Sequence, residues 1–217
     1  MTKAFDILLV ANGHIPSQND WHDLQYTFLI CTDGAADTLL QYKLIPNVII
    51  GDFDSLANAK ERFPQSQLVK IDDQNTTDFE KALQYCIKFP NKKIVCLGAL
   101  GGFADHGIHN LSLMVQYHPK LDLCFLNPTP YGSEWIFVLK AKTRIYTPKN
   151  SLISFFPFPE ATLTAPTLEW PLDRTHITQI GKHAVRNRTT QELTEVECEG
   201  KCVCFVNSPA YPALVSD

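Results

Sequence analysis

Aspartates recur directly after short apolar runs in the first half of this 217-residue chain. Four such runs are followed by carboxylates, in chain order Asp33, the pair Asp52 and Asp54, the group Asp72, Asp73 and Asp78, and Asp105. Ligands of open α/β sheets bind at the carboxyl ends of the strands, where parallel strands would bring these side chains together. Gathered carboxylates repel one another unless a cation joins them, and such oxygen ligands suit Mg²⁺ with a phosphate substrate. The pattern therefore predicts metal-assisted phosphate chemistry, with Asp72 and Asp37 interpreted as turn or capping residues.

A glycine-rich segment, with Gly98, Gly101 and Gly102, precedes Asp105. Where a helix begins after such a segment, its backbone N–H groups can approach a phosphate closely. Loops are often rich in glycine, so this feature only supports the carboxylate pattern. No serine or cysteine nucleophile motif is evident, and phosphoryl transfer depends on positioning and electrostatics more than on a covalent nucleophile.

The elements that must position these residues alternate between strand and helix patterns. Apolar, β-branched runs predict strands at residues 7–10, 27–31, 48–50, 68–71, 94–97 and 121–126. Helical periodicity predicts helices at residues 35–44, 78–89 and 105–117. Thr77 with Glu80 predicts a capping box, and Asp105 is the candidate N-cap of the third helix. This alternation predicts a first domain, residues 1–128, with a mostly parallel sheet and helices on both faces.

The pattern changes after a turn-rich linker at residues 127–132. Beyond it no amphipathic helix is evident, and Pro and Gly separate strand-like runs at residues 135–146, 151–156, 175–180 and 202–206. We expect a small all-β sandwich over residues 132–217, with a hairpin across Glu199-Gly200.

Composition excludes several function classes. The net charge of −4 and the lack of a Lys/Arg cluster argue against a nucleic-acid interface. No run approaches the roughly 20 apolar residues of a membrane span, and Asp6 interrupts the first apolar run, so we expect no signal peptide and a cytoplasmic location.

Seven scattered cysteines indicate reduced, buried thiols. The spacing of Cys198, Cys202 and Cys204, with no nearby His, does not match the usual zinc patterns.

The motifs resemble those of the thiamine pyrophosphokinase family over nearly the whole chain. The specific blocks are Gly-Asp-Phe-Asp-Ser at residues 51–55 and Asp-Gln-Asn-Thr-Thr-Asp at residues 73–78. Supporting matches are Asn12-Gly13, Asp33-Gly34-Ala35, Lys81-Ala82-Leu83, residues 101–106, Asn110-Leu111 and residues 168–172.

This resemblance implies a Rossmann-like catalytic domain that binds ATP, followed by a β-sandwich that binds thiamine and forms a homodimer, with the active site at the subunit interface. It implies that the hydroxyl of thiamine attacks the β-phosphorus of ATP, giving thiamine diphosphate and AMP. Asp52, Asp54 and Asp78 would hold Mg²⁺, and Asp33 and Asp105 would complete the acidic site. The implied nucleotide and thiamine contacts are Asn12, Gly34, Gly101, Gly102, Gln74, Thr77, Asn110, Trp170, Arg186 and Asn187.

Two residues depart from the family pattern. Phe103 stands where the family usually carries Arg, and Arg186 stands where it tends to carry Ser. One hypothesis is that Arg186 supplies the lost positive charge from another direction, and the alternative is that it is a solvated surface residue.

Two other functions fit part of the sequence. The Asp52-Phe53-Asp54 segment after an apolar strand resembles the motif of haloacid-dehalogenase phosphatases, although that motif normally follows the first strand. The departures at Phe103 and Arg186 would also fit a catalytically weak protein that binds thiamine or a nucleotide.

Overall fold

The computed structural model describes residues 5–54 and 56–216, and the chain divides into two compact units, Met1–Pro128 and Thr129–Asp217. Ser55, the last residue of the Gly-Asp-Phe-Asp-Ser block, lies outside the described residues. Parallel strands of the first unit and antiparallel strands of the second make this a mixed β-structure with few helices. Within the described ranges, no helix combines the length and the apolar character needed to cross a membrane.

In its described residues, the first unit is built on six parallel strands. They are β1 (Ile7–Val10), β2 (Phe28–Thr32), β3 (Val48–Gly51), β4 (Gln67–Lys70), β5 (Lys93–Leu97) and β6 (Asp122–Thr129), in the spatial order β6-β5-β1-β2-β3-β4. The inner strands β1 and β3 are buried along their whole length, as expected when both faces of a parallel sheet are covered. All six strands predicted for this half of the sequence are present.

Five helices accompany this sheet in the described part of the chain. They are α1 (Gln18–Trp21), α2 (Asp33–Gln41), α3 (Ala59–Arg62), α4 (Asp78–Cys86) and α5 (Ala104–Tyr117). The three predicted helices correspond to α2, α4 and α5. The single turns α1 and α3 were not predicted, since four residues are too short to show a helical period.

The predicted helix starts have different outcomes. The Thr77 hydroxyl accepts the Glu80 N–H at 3.2 Å, so Thr77 caps α4 as predicted. The prediction that Asp105 caps α5 is wrong, because the N-cap is Phe103 and no side chain caps this helix. The Asp105 carboxylate lies inside the first turn and accepts the His106 N–H at 2.8 Å. A carboxylate in the first turn still interacts favourably with the helix dipole.

The second unit is antiparallel. Its strands are β7 (Gly132–Val138), β8 (Lys142–Tyr146), β9 (Leu152–Ala165), β10 (Leu172–Thr178), β11 (Ala184–Arg188), β12 (Leu193–Asn207) and β13 (Ala213–Ser216). The long strand β12 pairs with β7, β8 and β9, while β9 also pairs with β10 and β11, and β8 with β13. The run predicted at residues 135–146 is therefore two strands, and β11 and β13 were not predicted.

The predicted hairpin across Glu199-Gly200 is wrong. Strand β12 continues through these residues, and its pairing with β9 shifts between Gly200 and Cys202. Gly200 has a φ of +97°, and a Cβ there would lie 2.7 Å from the Glu160 carbonyl oxygen. The glycine therefore marks an irregularity of the β-bulge kind where two backbones approach closely, and not a turn.

The burial of the cysteines agrees with the expectation from the sequence. All seven cysteines are buried free thiols, as predicted for reduced cysteines. Trp21 and Trp135 are buried in the cores of their units, at 4% and 1% exposure.

Candidate active site

Three aspartates meet at the carboxyl edge of the parallel sheet. Asp33 is the first residue of α2, directly after β2, Asp52 follows β3, and Asp78 is the first residue of α4. One carboxylate oxygen from each lies within 4.8 Å of the other two. Because β2 and β3 are parallel neighbours, their carboxyl ends are adjacent, which brings side chains distant in sequence together.

Asp33 is the buried member of this cluster, with 2% exposure. Its Oδ1 accepts the Gly34 N–H at 2.6 Å, and its Oδ2 accepts the Phe53 N–H at 2.9 Å. Burial, followed by the charge of Asp78, raises the pKa of Asp33, and these effects outweigh the two N–H groups, which favour the carboxylate. Phe53 has a φ of +66°, an uncommon conformation that accompanies the donation of its amide to Asp33.

Gly51, the last residue of β3, leaves the space that the Asp33 carboxylate occupies. A Cβ at Gly51 would lie 2.4 Å from the Asp33 carboxyl carbon, well inside contact distance. The glycine of the Gly-Asp-Phe-Asp block is therefore needed because the carboxylate packs directly against the strand backbone.

We expect Gly51→Ala to lower the free energy of unfolding by about 2 kcal/mol, because the added methyl group must displace Asp33 or the strand. Urea unfolding measures this change. Gly107→Ala is the matched control, since its Cβ would meet only Leu100 Cδ2 at 3.8 Å within α5. That change should stabilise the helix by about 0.5–1 kcal/mol. Equal effects of the two substitutions would contradict the packing argument.

Asp52 is more open to solvent. It accepts the Asp54 N–H at 3.0 Å, and its other oxygen faces the Gln74 amide nitrogen at 3.4 Å. The Asp54 N–H is the main reason that the pKa of Asp52 lies below its ordinary value. The Asp54 side chain itself is exposed and lies outside the three-carboxylate group, so its role as a metal ligand stays a prediction. Asp105 is also exposed, and its place in the acidic site likewise stays a prediction.

Sequence reasoning assigned no role to Lys81, which the structure places at this site. Its side chain is 2% exposed, and its Nζ lies 2.9 Å from Asp78 Oδ1. Burial by itself would lower the pKa of Lys81, but the hydrogen bond to Asp78 and the nearby carboxylate charges raise it overall. The available signal was its position three residues after Asp78 in a predicted helix, where the two side chains share a face.

A cavity of about 420 Å³ opens over these residues. This volume lies within the usual range for sites that bind small molecules. Besides the three aspartates and Lys81, its lining includes seven residues that the sequence resemblance selected, namely Asn12, Gly34, Gln74, Thr77, Gly101, Gly102 and Asn110. Helices α2, α4 and α5 begin around it, and the positive ends of their dipoles favour an anion there.

Asn110 and Phe103 line this cavity in different ways. The buried Asn110 amide donates to the Ala99 carbonyl at 2.7 Å and so fixes the backbone of the glycine-rich segment. Phe103, which replaces an expected arginine, is 78% exposed.

The three remaining predicted site residues lie in the second unit. Trp170 is 58% exposed, whereas Asn187 is buried. Arg186 has a φ of +55°, and its guanidinium lies 5.7 Å from the Tyr131 ring centroid beside a cavity of about 120 Å³. The hypothesis that Arg186 replaces the missing arginine stays untested.

A parallel sheet with an acidic cluster and helix N-termini at its carboxyl edge is typical of α/β proteins that bind ligands there. The family described as "Thiamin pyrophosphokinase, catalytic domain" matches residues 21–125. This match and the relatives below support the thiamine pyrophosphokinase family for this chain.

Named relatives agree with this assignment. The chain is 32% identical to thiamin pyrophosphokinase 1 of Caenorhabditis elegans over 110 residues, which span 46% of this chain and 44% of that protein. It is 29% identical to thiamine pyrophosphokinase of Bacillus subtilis over 191 residues, 79% of this chain and 84% of the relative. The chain is also similar to the crystal structure of thiamine pyrophosphokinase from Bacillus subtilis, with a TM-score of 0.77 and 24% identity. The superposition covers 95% of this chain and 99% of the crystallised chain. This last similarity supports the fold.

Proposed function

We propose that this protein is a thiamine pyrophosphokinase that transfers the pyrophosphoryl group of ATP to the hydroxyl of thiamine, giving thiamine diphosphate and AMP. The observation that carries the proposal is the cluster of Asp33, Asp52 and Asp78 with the buried Lys81, four residues of the family-matched segment that line one cavity. A new bond forms between the thiamine oxygen and the β-phosphorus, and the bond from the β-phosphorus to the α-phosphate bridging oxygen breaks. AMP leaves with that oxygen, and the hydroxyl proton passes to a carboxylate of the site.

The donor set fits Mg²⁺. Asp52 and Asp78 offer two partly exposed carboxylates, and Mg²⁺ is commonly held by one or two carboxylates together with substrate phosphates and water. The motif also assigns Asp54 to this set. When bound, the metal would neutralise charge on the triphosphate.

The residues of this chain supply the positioning. Thr77 uses its hydroxyl oxygen to accept the Glu80 N–H, so its O–H hydrogen remains available to donate to a phosphate oxygen. Gln74 carries an amide beside Asp52. Asn12, Gly34, Gly101 and Gly102 line the cavity proposed for the nucleotide, and Asn110 keeps the glycine-rich backbone in place. Lys81 balances the cluster and holds Asp78.

Thiamine is proposed to contact the second unit, with the exposed Trp170 as its aromatic surface. A cationic thiazolium is attracted to the face of an indole ring. The proposal includes a Rossmann-like first unit, supported by its parallel strand order, and a β-sandwich second unit, supported by its antiparallel pairing. It also includes the homodimer and the cytoplasmic location that were predicted from the sequence.

The phosphatase alternative is not favoured. The relatives are named as pyrophosphokinases, and Asp52 follows the third strand and not the first.

The deciding experiment measures the nucleotide product from Mg²⁺-ATP with and without thiamine. We expect AMP that depends on both thiamine and Mg²⁺ and disappears with EDTA. Thiamine-dependent ADP would show a simple kinase on this scaffold. Phosphate release that is independent of thiamine would favour a phosphatase, and tight thiamine binding without any product would favour a binding protein.

A further inference from the structure

The buried amide of Asn187 hydrogen-bonds the backbone of Trp170 on both sides. Its Oδ1 accepts the Trp170 N–H at 3.1 Å and the Arg188 N–H at 2.8 Å, while its Nδ2 donates to the Trp170 carbonyl at 2.7 Å. Reversing the amide would place N–H groups against N–H groups, so the chemistry of the partners fixes its orientation. Three of the four hydrogen-bonding positions of the side chain are therefore used within the protein.

The residue held in this way is an exposed tryptophan. Trp170 is 58% exposed, whereas Asn187 is 4% exposed, so the buried polar group supports a large aromatic side chain that faces solvent. The neighbouring backbone is also paired, because the Glu169 N–H donates to the Arg188 carbonyl at 2.9 Å and Leu168 forms a bridge with Thr189. The segment before β10 is thereby fixed along the edge of β11.

We infer that Asn187 is a positioning residue that acts on thiamine through Trp170 and does not contact the substrate itself. An indole on a mobile loop would lose conformational entropy when a ligand packs on it, and the amide removes that loss before binding. The inference rests on the proposed function, since the ligand it names is the cationic, flat heterocycle of thiamine. It changes the role predicted for Asn187 from a substrate contact to a support.

The test compares Asn187→Ser, Trp170→Ala and the double variant in steady-state kinetics. Asn187→Ser is the milder change, because a hydroxyl can still satisfy one neighbour. We expect either single variant to raise the KM for thiamine about tenfold, with the KM for ATP unchanged. The KM for thiamine of the double variant should be no higher than that of Trp170→Ala alone, since Asn187 acts only through the indole.

A second readout needs no turnover. Trp21 and Trp135 are buried, so iodide-quenchable fluorescence comes mainly from Trp170. Asn187→Ser should add a fast component to the anisotropy decay of this quenchable emission, which a substrate contact would not do. Asn207→Ser is the matched control. It also shortens an asparagine of the second unit, whose Nδ2 donates to the Ser133 carbonyl. We expect it to leave both the anisotropy decay and the KM for thiamine unchanged.

Two results would overturn the inference. One is a further tenfold rise in the KM for thiamine when Asn187→Ser is added to Trp170→Ala. The other is an unchanged anisotropy decay in Asn187→Ser. If the unmodified protein forms no product from thiamine, the proposed function fails, and the anisotropy comparison still decides whether Asn187 fixes Trp170.

Discussion

Replacing Asp52 by Asn is expected to lower kcat/KM for AMP formation by about a thousandfold without unfolding the protein. Asn keeps an oxygen that can accept the Asp54 N–H, so the local backbone should stay in place. The change removes one of the two partly exposed negative charges of the cluster, the ones proposed to hold Mg²⁺ on the triphosphate. Product assays across a range of Mg²⁺ concentrations measure the effect, and a higher Mg²⁺ requirement should accompany it.

Asp72→Asn is the matched control for this experiment. Asp72 is also exposed after a strand of the first unit, but it pairs with Lys70 at 2.9 Å and does not belong to the cluster. Its substitution should change kcat/KM less than twofold, because exposed ion pairs contribute little. A comparable loss in both variants would mean that overall negative charge, and not the cluster, supports catalysis. Asp54→Asn in the same assay tests the ligand role that the motif implies.

Replacing Lys81 by Met is expected to change the affinities for metal and nucleotide in opposite directions. The buried ammonium offsets three carboxylates, so its removal leaves more negative charge to attract Mg²⁺ alone. The same removal takes a positive charge from the site that would receive the triphosphate, so ATP should bind about tenfold more weakly. Isothermal titration with Mg²⁺ alone, and with ATP in the presence of Mg²⁺, measures both affinities.

The Lys81→Met protein should also be less stable when no metal is present. Without the Lys81 ammonium, the negative charges of Asp78 and its neighbouring carboxylates are no longer offset. We therefore expect a decrease of about 2 kcal/mol in the free energy of unfolding in EDTA. Added Mg²⁺ should restore much of this difference. Lys92→Met is the control, since Lys92 pairs with Asp6 on the exposed surface at 2.9 Å. Parallel changes in metal and nucleotide affinity would contradict the electrostatic role of Lys81.

Local patterns in the sequence determined most of the first unit. The apolar runs that became β1 to β6 and the helical period of α4 depend on short-range chemistry, namely side-chain periodicity and capping. Thr77 caps α4 as predicted, because its hydroxyl accepts the N–H of Glu80, only three residues further along, and needs no partner from a distant part of the chain. The alternation of strands and helices was sufficient to place Asp33, Asp52 and Asp78 at one sheet edge, because parallel strands end on the same side.

Only the tertiary structure decided which of these groups meet. Asp33 and not Asp54 completes the cluster, because Gly51 leaves room for the Asp33 carboxylate while the Asp54 side chain points to solvent. The hydrogen bonds between Asn187 and Trp170 join residues 17 positions apart across two strand ends.

The second unit was harder to predict for the same reason. Gly200 has the composition of a turn, but pairing of β12 with β9 makes it part of a continuous strand. The same holds for Lys81 in the first unit, which looks like an ordinary surface lysine until the fold buries it beside Asp78. In each case the sequence determined what a residue can do over a few positions, and contacts with distant strands, which no local period records, determined what it does here.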